Sequence, residues 1–371
     1  MSYATGLTVI ERLERLAPKH IAMPNDRIGL QLGTLKKDIR KVLVALDVTE
    51  EVADEAVLEG VDLIIAHHAI IYRPLEDLQS DSPAGQLYAK LIKHDIAVYI
   101  AHTNLDAAEG GVNDLLAEAL GLRGGLDVLK VVHTEKLKKL VVFVPQTHHQ
   151  QVLDAMFAAG AGHIGDYSNC SFNIAGEATF MPSDSAQPFI GEAGVLERVA
   201  EVRIETVVPE SLVQQAVQAV IKAHPYEEVA YDIYPIDHEA KSYGIGRVGL
   251  LPSVIQLGEL AGHVKAVFGL DAARVVGELE RAVRKVAVLG GSGGKFIGDA
   301  IRAGADVLVT GDIDYHTAQD ARAAGFALID AGHHIEQIMK QGVASYLAGA
   351  LAGTATEVAV SQAVTDPFRS V

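Results

Sequence analysis

The sequence predicts an α/β protein built from two similar blocks of strands and helices, with a smaller domain inserted between them. Three observations support this fold class. Short runs of Val, Ile and Leu alternate with helix-length amphipathic segments in both outer thirds, as in a parallel sheet covered on both faces. The middle of the chain follows a different order of elements. Finally, the 371 residues exceed what one ordinary core holds.

Hydrophobic periodicity defines the elements of the first block, residues 1–130. An amphipathic helix is predicted at 7–16, and a loop that contains Pro24, Asn25 and Asp26 follows it. Apolar runs of strand length then alternate with helical segments. The predicted strands are 41–46, 61–66 and 96–100, and the predicted helices are 50–59, 84–93 and 113–120.

The second block, residues 245–371, repeats this rhythm. Its predicted strands are 285–289, 306–310 and 327–329, and its predicted helices are 295–302, 317–324 and 334–351. Two strings of the first block, Lys41-Val-Leu-Val-Ala-Leu46 and Glu59-Gly-Val-Asp-Leu-Ile-Ile65, resemble Lys285-Val-Ala-Val-Leu289 and Ala303-Gly-Ala-Asp-Val-Leu-Val309. These strings predict an internal repeat. The alternative is that unrelated βα units converge on similar apolar strings.

The middle segment, residues 137–236, predicts a different domain. Its elements read strand 140–144, helix 149–159, strands 171–180 and 200–207, helix 210–223 and strand 229–234. This βαββαβ order is typical of ferredoxin-like modules. A polar return at 237–243 leads back to the second block, so we interpret the module as an insertion.

Composition excludes several classes of partner. No apolar run approaches the roughly 20 residues of a membrane span, and no secretory signal is visible. A formal charge of −17 makes nucleic acid an unlikely partner. The single cysteine, Cys170, is typical of a reducing cytoplasm and excludes a cysteine-based zinc site. Acidity with 15 histidines suits cation binding, although acidity also serves solubility alone.

Possible metal ligands follow four predicted strands directly. Ligands gather at the carboxyl ends of strands in open α/β sheets, because helix N-termini and short loops converge there. The side chains at these ends are His67, His68, His102, Asp106, Asp312, His316, His333, His334 and Glu336. One such histidine alone is usually structural. The convergence of His67, His68, Asp106, His333 and Glu336 predicts a metal site, whereas the His148-His149 pair lacks such partners.

The ligand types predict the class of metal. Imidazole and carboxylate without thiolate suit Zn, Mn, Fe, Co or Ni. Two ions about 3.5–4 Å apart need a carboxylate able to bridge them, and Glu336 lies three residues after His333 on one helical face. Two carboxylates leave two divalent cations with residual positive charge, which would attract an anionic substrate.

Two glycine-rich strings do not match nucleotide-binding motifs in context. Residues 244–249 fit GxGxxG but follow a polar linker and open no helix. Residues 290–296 lie between a strand and a helix, yet Leu289 and Phe296 break the P-loop pattern. That second string either binds an anion near the metals or forms a tight turn.

At these residues the sequence resembles the NIF-three-like dinuclear-metal family, homologues of a type-two GTP cyclohydrolase I. The matching strings are Asp26-Arg-Ile-Gly-Leu-Gln-Leu-Gly33, Ala66-His-His-Ala69, His102-Thr-Asn-Leu-Asp106, Gly290-Gly-Ser-Gly-Gly294, Thr310-Gly-Asp312 and Gly332-His-His-Ile-Glu336. The insert is similar to the PII/CutA-like domain of longer bacterial members, including its Pro225-Tyr-Glu-Glu228 and Asp232-Ile-Tyr234 strings.

The resemblance implies two divalent metal ions per chain and a ring-shaped homohexamer whose sites face an interior cavity. It implies the ligands His67, His68, Asp106, His333 and a bridging Glu336. Two departures are visible. Many members have Pro where this chain has Ala69, and shorter members space the last His and Glu by four residues. His334 therefore stays an alternative to His333.

The resemblance also implies a metal-dependent hydrolase acting on a nucleotide or a similar anionic small molecule. Attack on C8 of a guanine ring would need a nearby acid or base, and His102 and His316 are the candidates. A non-catalytic regulatory or scaffold protein with a sensing insert is the rival hypothesis. A purely structural metal site is a third.

Overall fold

A computed structural model describes residues 1–369, apart from the side chains at positions 239 and 240. The chain forms two compact units. The first contains residues 1–133 together with the chain from residue 243 onward, and the second contains residues 134–242. The predicted insert, 137–236, falls within the second unit.

Residues 1–369 form fifteen strands, eleven α-helices and five 3-10 helices. The strands are β1 Ala4–Thr5, β2 Gly29–Leu32, β3 Asp38–Ile39, β4 Lys41–Ala45, β5 Leu63–Ala66, β6 Ala97–Ile100, β7 Arg123–Pro145, β8 Phe172–Phe180, β9 Glu197–Pro209, β10 Tyr231–Gln256, β11 Arg274–Val276, β12 Ala282–Ser292, β13 Val307–Gly311, β14 Ala327–Asp330 and β15 Glu357–Val360. The α-helices are α1 Gly6–Leu16, α2 Glu50–Leu58, α3 Pro83–Lys93, α4 Thr103–Ala107, α5 Val112–Ala119, α6 His149–Ala158, α7 Val213–Ala223, α8 Leu257–Phe268, α9 Ile297–Arg302, α10 Tyr315–Ala323 and α11 Ile338–Ala350. Short 3-10 helices cover Lys19–Ile21, Gln146–His148, Glu210–Leu212, Gly294–Phe296 and His333–Gln337.

The first unit repeats one strand arrangement. Its strands lie in the orders β15-β4-β5-β6-β2 and β11-β14-β13-β12-β10. In each, three central strands run parallel, and an antiparallel strand, β2 or β11, pairs with the third. On the opposite side of the three parallel strands, the two arrangements differ. Strand β15 is parallel to β4, but β10 is antiparallel to β12. The recurring sequence strings therefore coincide with recurring topology.

Burial on both faces explains why the central strands of the first sheet are continuously apolar. Val42 and Val44 join the larger core with helices α1, α5 and α11. Leu43 and Ala45 point to the other face, where they pack with residues of α2 and α3. Because both faces are covered, no polar alternation is needed. In open α/β sheets, ligands bind at the carboxyl ends of such strands.

The second unit has its own core. Along the chain it contains the end of β7, then α6, β8, β9, α7 and the start of β10. Strand β9 pairs antiparallel with both β7 and β8. Leu140, Val142 and Ile204 of the strands pack with Met156 and Val220 of the helices.

Several boundaries differ from the sequence prediction. The predicted polar return at 237–243 and the glycine string 244–249 both lie within strand β10. The glycines allow close approach of backbone, since a Cβ on Gly244 would lie 2.1 Å from the carbonyl oxygen of Lys130. The predicted helix 334–351 begins as the 3-10 turn His333–Gln337 and becomes α-helical only at Ile338.

The composition predicts no membrane partner and a cytoplasmic location. Within the part of the chain that the structure describes, each helix is too short or too polar to span a bilayer. The cytoplasmic location stays a prediction.

Candidate metal centre

Three strand ends of the first unit converge on one cluster of imidazoles and carboxylates. His67 and His68 follow β5 directly. His102 follows β6 and precedes helix α4, which carries Asp106. The 3-10 turn after β14 carries the remaining residues, His333 and Glu336. Both halves of the internal repeat therefore contribute side chains to the same site.

Groups of side chains in this cluster could each hold a metal ion, and the first of these candidate ligand sets consists of His67, Asp106 and Glu336. His67 is fully buried, and its Nδ1–H donates to the carbonyl oxygen of Ala101 at 2.9 Å. Its Nε2 lies 3.6 Å from Asp106 Oδ1 and 3.8 Å from Glu336 Oε1. These distances are too long for hydrogen bonds. They are what two ligands produce when each binds one cation at about 2.0–2.2 Å.

Among the described residues, two buried atoms of this set find no hydrogen-bond partner. They are His67 Nε2 and Asp106 Oδ1. A buried polar atom without a partner costs about 1–3 kcal/mol, so two that face each other call for a partner between them. A divalent cation satisfies both atoms, because it accepts lone pairs from imidazole and carboxylate alike. The donor set therefore fits a metal ion.

The second ligand set consists of His68, His333 and Glu336. Nε2 of His68 and Nε2 of His333 each lie 3.1 Å from Glu336 Oε2, and they lie 3.3 Å from each other. Each Nδ1–H donates to a carboxylate at 2.6 Å, that of Asp47 for His68 and that of Asp312 for His333. Such outer carboxylates orient metal-binding imidazoles, and here they leave Nε2 as the ligand atom.

Glu336 joins the two sets. Its side chain is only 4% exposed, Oε1 faces the first set, and Oε2 faces the second. The 3-10 turn places residues three apart on one side, which explains how His333 and Glu336 meet. The neighbouring glycines make room: a Cβ on Gly291 would lie 2.7 Å from Oε1, and one on Gly290 would lie 2.8 Å from Cγ. This packing favours the tight-turn interpretation of the glycine-rich string.

The raised pKa values of two histidines show that the cluster stabilises positive charge. Burial opposes a charge on His68, but hydrogen bonds to Asp47 and Glu336 outweigh it and raise the pKa of His68 to about 10. The hydrogen bond to Glu336 likewise raises the pKa of His333 to about 9. Burial raises the pKa of the Asp106 carboxyl to about 6, although His67 opposes the shift. Without cations the site holds protons, and metal binding would displace them.

His102 joins the cluster, whereas His316 does not. Nδ1–H of His102 donates to Asp26 Oδ1 at 2.9 Å, and its ring centroid lies 5.0 Å from that of His67. His67, His68 and His102 each place one potential ligand atom within 4.8 Å of the others. Among the described residues, His316 belongs to no such group; its backbone N–H contacts the cap residue Asp314. The role predicted for His316 stays a prediction without geometric support.

His334 lies within electrostatic range of Asp366 and of Asp47, the carboxylate that also orients His68. Burial lowers its pKa, and the carboxylates of Asp366 and Asp47 oppose that shift. Of the two alternatives left by the sequence, the described groups contain His333 and not His334.

Sequence reasoning missed two carboxylates, Asp26 and Asp47. Asp47 could have been found, because it follows strand β4 at the same sheet edge as the ligands. Asp26 begins one of the strings that resemble the family, but it lies in a loop and reaches His102 across 76 residues, so its place in the sequence indicated no role.

Comparison with known proteins identifies the family. Residues 5–367 match the model of Duf34/NIF3 (NGG1p interacting factor 3). The chain belongs to the Duf34/NIF3 family. A relative from Halalkalibacterium halodurans is 52% identical with 99% of each chain covered, and one from Bacillus subtilis is 51% identical with 98% of each covered. Both are named GTP cyclohydrolase 1 type 2 homolog.

A solved Duf34/NIF3 structure agrees with the fold. The Bacillus cereus protein related to NIF3 is 50% identical, covers all of both chains and superposes with a TM-score of 0.92. The predicted family and its mixed α/β fold are thus confirmed. A Staphylococcus aureus protein, SA1388, is 29% identical over all of both chains, with a TM-score of 0.76.

Proposed function

We propose that this protein binds two divalent metal ions and hydrolyses a nucleotide or a related anionic small molecule. The observation that carries the proposal is Glu336, whose two carboxylate oxygens face two separate ligand sets. The ions come from the group Zn, Mn, Fe, Co and Ni, because the ligands are imidazoles and carboxylates. His67, Asp106 and Glu336 hold one ion, and His68, His333 and Glu336 hold the other.

The protein side chains prepare the site for hydrolysis. When bound, divalent cations supply Lewis acidity and lower the pKa of a water in the site. Three protein ligands in each set leave positions open for water and substrate. The carboxylates of Asp106 and Glu336 neutralise only part of the charge of two divalent ions, so an anion is attracted. His102 sits beside His67 and can accept or hold a proton there.

The names of the relatives support a nucleotide substrate, since both are called homologues of a GTP cyclohydrolase. We therefore propose GTP and related nucleotides as the first substrates to test. The metal-loaded protein should release product from at least one of them. His67→Ala and Glu336→Gln should abolish that turnover, whereas His149→Ala should not. His149 lies in the second unit, bonded to Asn173.

A non-catalytic regulatory or scaffold role is the second candidate. The separate core of the second unit favours it, because a module with its own core can bind a ligand or partner independently. Metal binding without turnover of any nucleotide would support this candidate over the hydrolase.

We further propose that the chain assembles into a homohexamer and that its second unit is a ferredoxin-like, PII/CutA-like module. The order of elements and the antiparallel pairing of β7, β8 and β9 support the module. The resemblance to the family supports the hexamer. Light scattering after size exclusion should give about six times the chain mass of 39.4 kDa. A monomeric mass would contradict the assembly.

A further inference from the structure

Asp26 is bonded to two features of the metal centre, although it lies in a distant loop. Its side chain is 9% exposed. Oδ1 accepts hydrogen bonds from Nδ1–H of His102 at 2.9 Å and from the backbone N–H of Arg27 at 2.8 Å. Oδ2 accepts from the backbone N–H of Thr103 at 3.0 Å and from its hydroxyl. Each carboxylate oxygen of Asp26 therefore accepts two hydrogen bonds.

The first consequence concerns the tautomer of His102. An ionised carboxylate only accepts hydrogen bonds, so Nδ1 of His102 must carry the proton. The partner of one ring nitrogen decides which nitrogen is protonated. In the neutral imidazole, Nε2 of His102 then keeps its lone pair. The ring stands 5.0 Å from the ring of His67 and 5.9 Å from that of His68.

The second consequence concerns helix α4. His102 is the N-cap residue of this helix, but its side chain makes no capping bond. Asp26 supplies the missing acceptor from another part of the chain by binding the N–H of Thr103. The Thr103 hydroxyl in turn accepts the N–H of Met23 at 2.9 Å. The helix fixed in this way carries Asp106, a proposed ligand.

We propose that Asp26 is a positioning residue that holds His102 in the tautomer protonated on Nδ1 and holds the helix that presents Asp106 to the metal. The metal part rests on the proposed function; the tautomer part does not. Asp26 touches neither the ligand atoms nor a substrate. It acts through His102 and Thr103.

The substitution Asp26→Asn separates the two roles. Thr103 gives Oδ2 two donors, its N–H and its hydroxyl, whereas the only backbone donor on Oδ1 is the exposed N–H of Arg27, so the amide oxygen of Asn stays with Thr103. The amide NH2 then faces His102 and donates to Nδ1, which reverses the tautomer. Asp26→Ala removes both roles. Asp306→Asn is the matched control, because Asp306 also accepts backbone N–H groups, those of Arg284 and Lys285, at the opposite ends of the strands.

Histidine 15N spectra at about pH 8 test the tautomer in metal-free and zinc-loaded protein. His102→Gln identifies the His102 signals by their loss. We expect Nδ1–H in the parent protein and in Asp306→Asn, and Nε2–H in metal-free Asp26→Asn. An unchanged His102 tautomer in Asp26→Asn would overturn the proposal. The metal-free spectra give this result even for a protein that binds no metal.

Chelator competition with zinc tests the second role. Asp26→Asn keeps the bond to Thr103, so its zinc affinity should stay within a few-fold of the parent. Asp26→Ala should weaken zinc about 10–100-fold, the usual effect of losing an outer partner. Parent-like zinc affinity in Asp26→Ala would overturn the claim about helix α4. A parent protein without zinc affinity would instead remove the proposed function and leave the tautomer result intact.

Discussion

Glu336 Oε2 lies 3.1 Å from His68 Nε2, although 268 residues separate the two. Each residue belongs to a different half of the internal repeat, and the contact exists only when both halves have folded against each other. The metal centre is therefore a product of the repeat.

Removing one histidine should remove one ion. Of the two sets, His67 belongs to the first and His333 to the second, whereas Glu336 belongs to both. We expect His67→Ala and His333→Ala each to retain about one tightly bound ion per chain, as measured by elemental analysis after dialysis. Equal loss of both ions in either variant would show that the two sets do not bind independently.

Metal binding should release protons. The raised pKa values of His68, about 10, and His333, about 9, keep both imidazoles protonated at neutral pH without metal. A cation must displace both protons to reach Nε2. Calorimetry at pH 7 in buffers of different ionisation enthalpy should report release of at least two protons per chain, since the carboxylates of Asp106 and Glu336 also raise the pKa of His67. Release of none would contradict the assigned protonation.

The stability of the metal-free protein should fall as pH rises. The folded-state pKa values of His68 and His333 lie above the unfolded value of about 6.5. Their contribution is therefore complete below pH 6.5 and is lost as pH rises through 9 and 10. Thermal unfolding of chelator-treated protein should show Tm decreasing from pH 7 to 10. The His68→Gln, His333→Gln double variant should flatten this slope; an equally steep slope would argue against the assignment.

The outer carboxylates should tune metal affinity. Asp47 orients His68 through a 2.6 Å bond and is itself bonded by the Thr365 hydroxyl. We expect Asp47→Asn to weaken zinc binding about 10–100-fold, measured by chelator competition. Asp314→Asn, at the exposed cap of helix α10, serves as the control and should leave affinity unchanged.

Gly291 should be required for its size as well as for its backbone conformation. Its φ is +64°, and a Cβ would lie 2.7 Å from Glu336 Oε1. Gly325 has a similar φ of +66° with open space around it. Both alanine variants should lose about 1–2 kcal/mol of stability from the left-handed conformation. Only Gly291→Ala should also lose metal; equal metal content in both would exclude a steric role.

Much of the site could be predicted from the sequence, because buried parallel strands are easily recognised and the candidate ligands follow the ends of these strands. This rule located His67, His68, Asp106, His333 and Glu336, which the structure brings together. It also selected His316, because strand ends alone do not distinguish side chains that point to the site from those that do not. Asp26 was missed because a loop residue gains its role only through tertiary contact.

In the fold, too, some elements could be predicted from the sequence and others could not. Central strands such as β4 and β5 have continuous apolar runs and were located to within two residues. The edge strands β2, β11 and β15 were missed. They contain three or four residues of mixed burial, so their conformation is decided by the strand beside them rather than by local sequence.

The central claim is that Glu336 lies between two metal ions. Crystals of the protein loaded with zinc, measured at the zinc absorption edge, test it most directly. We predict two anomalous peaks per chain about 3.5–4 Å apart. One should be bound by His67 and Asp106, the other by His68 and His333, with one Glu336 oxygen on each. A single peak, or no peak between these side chains, would contradict the dinuclear centre.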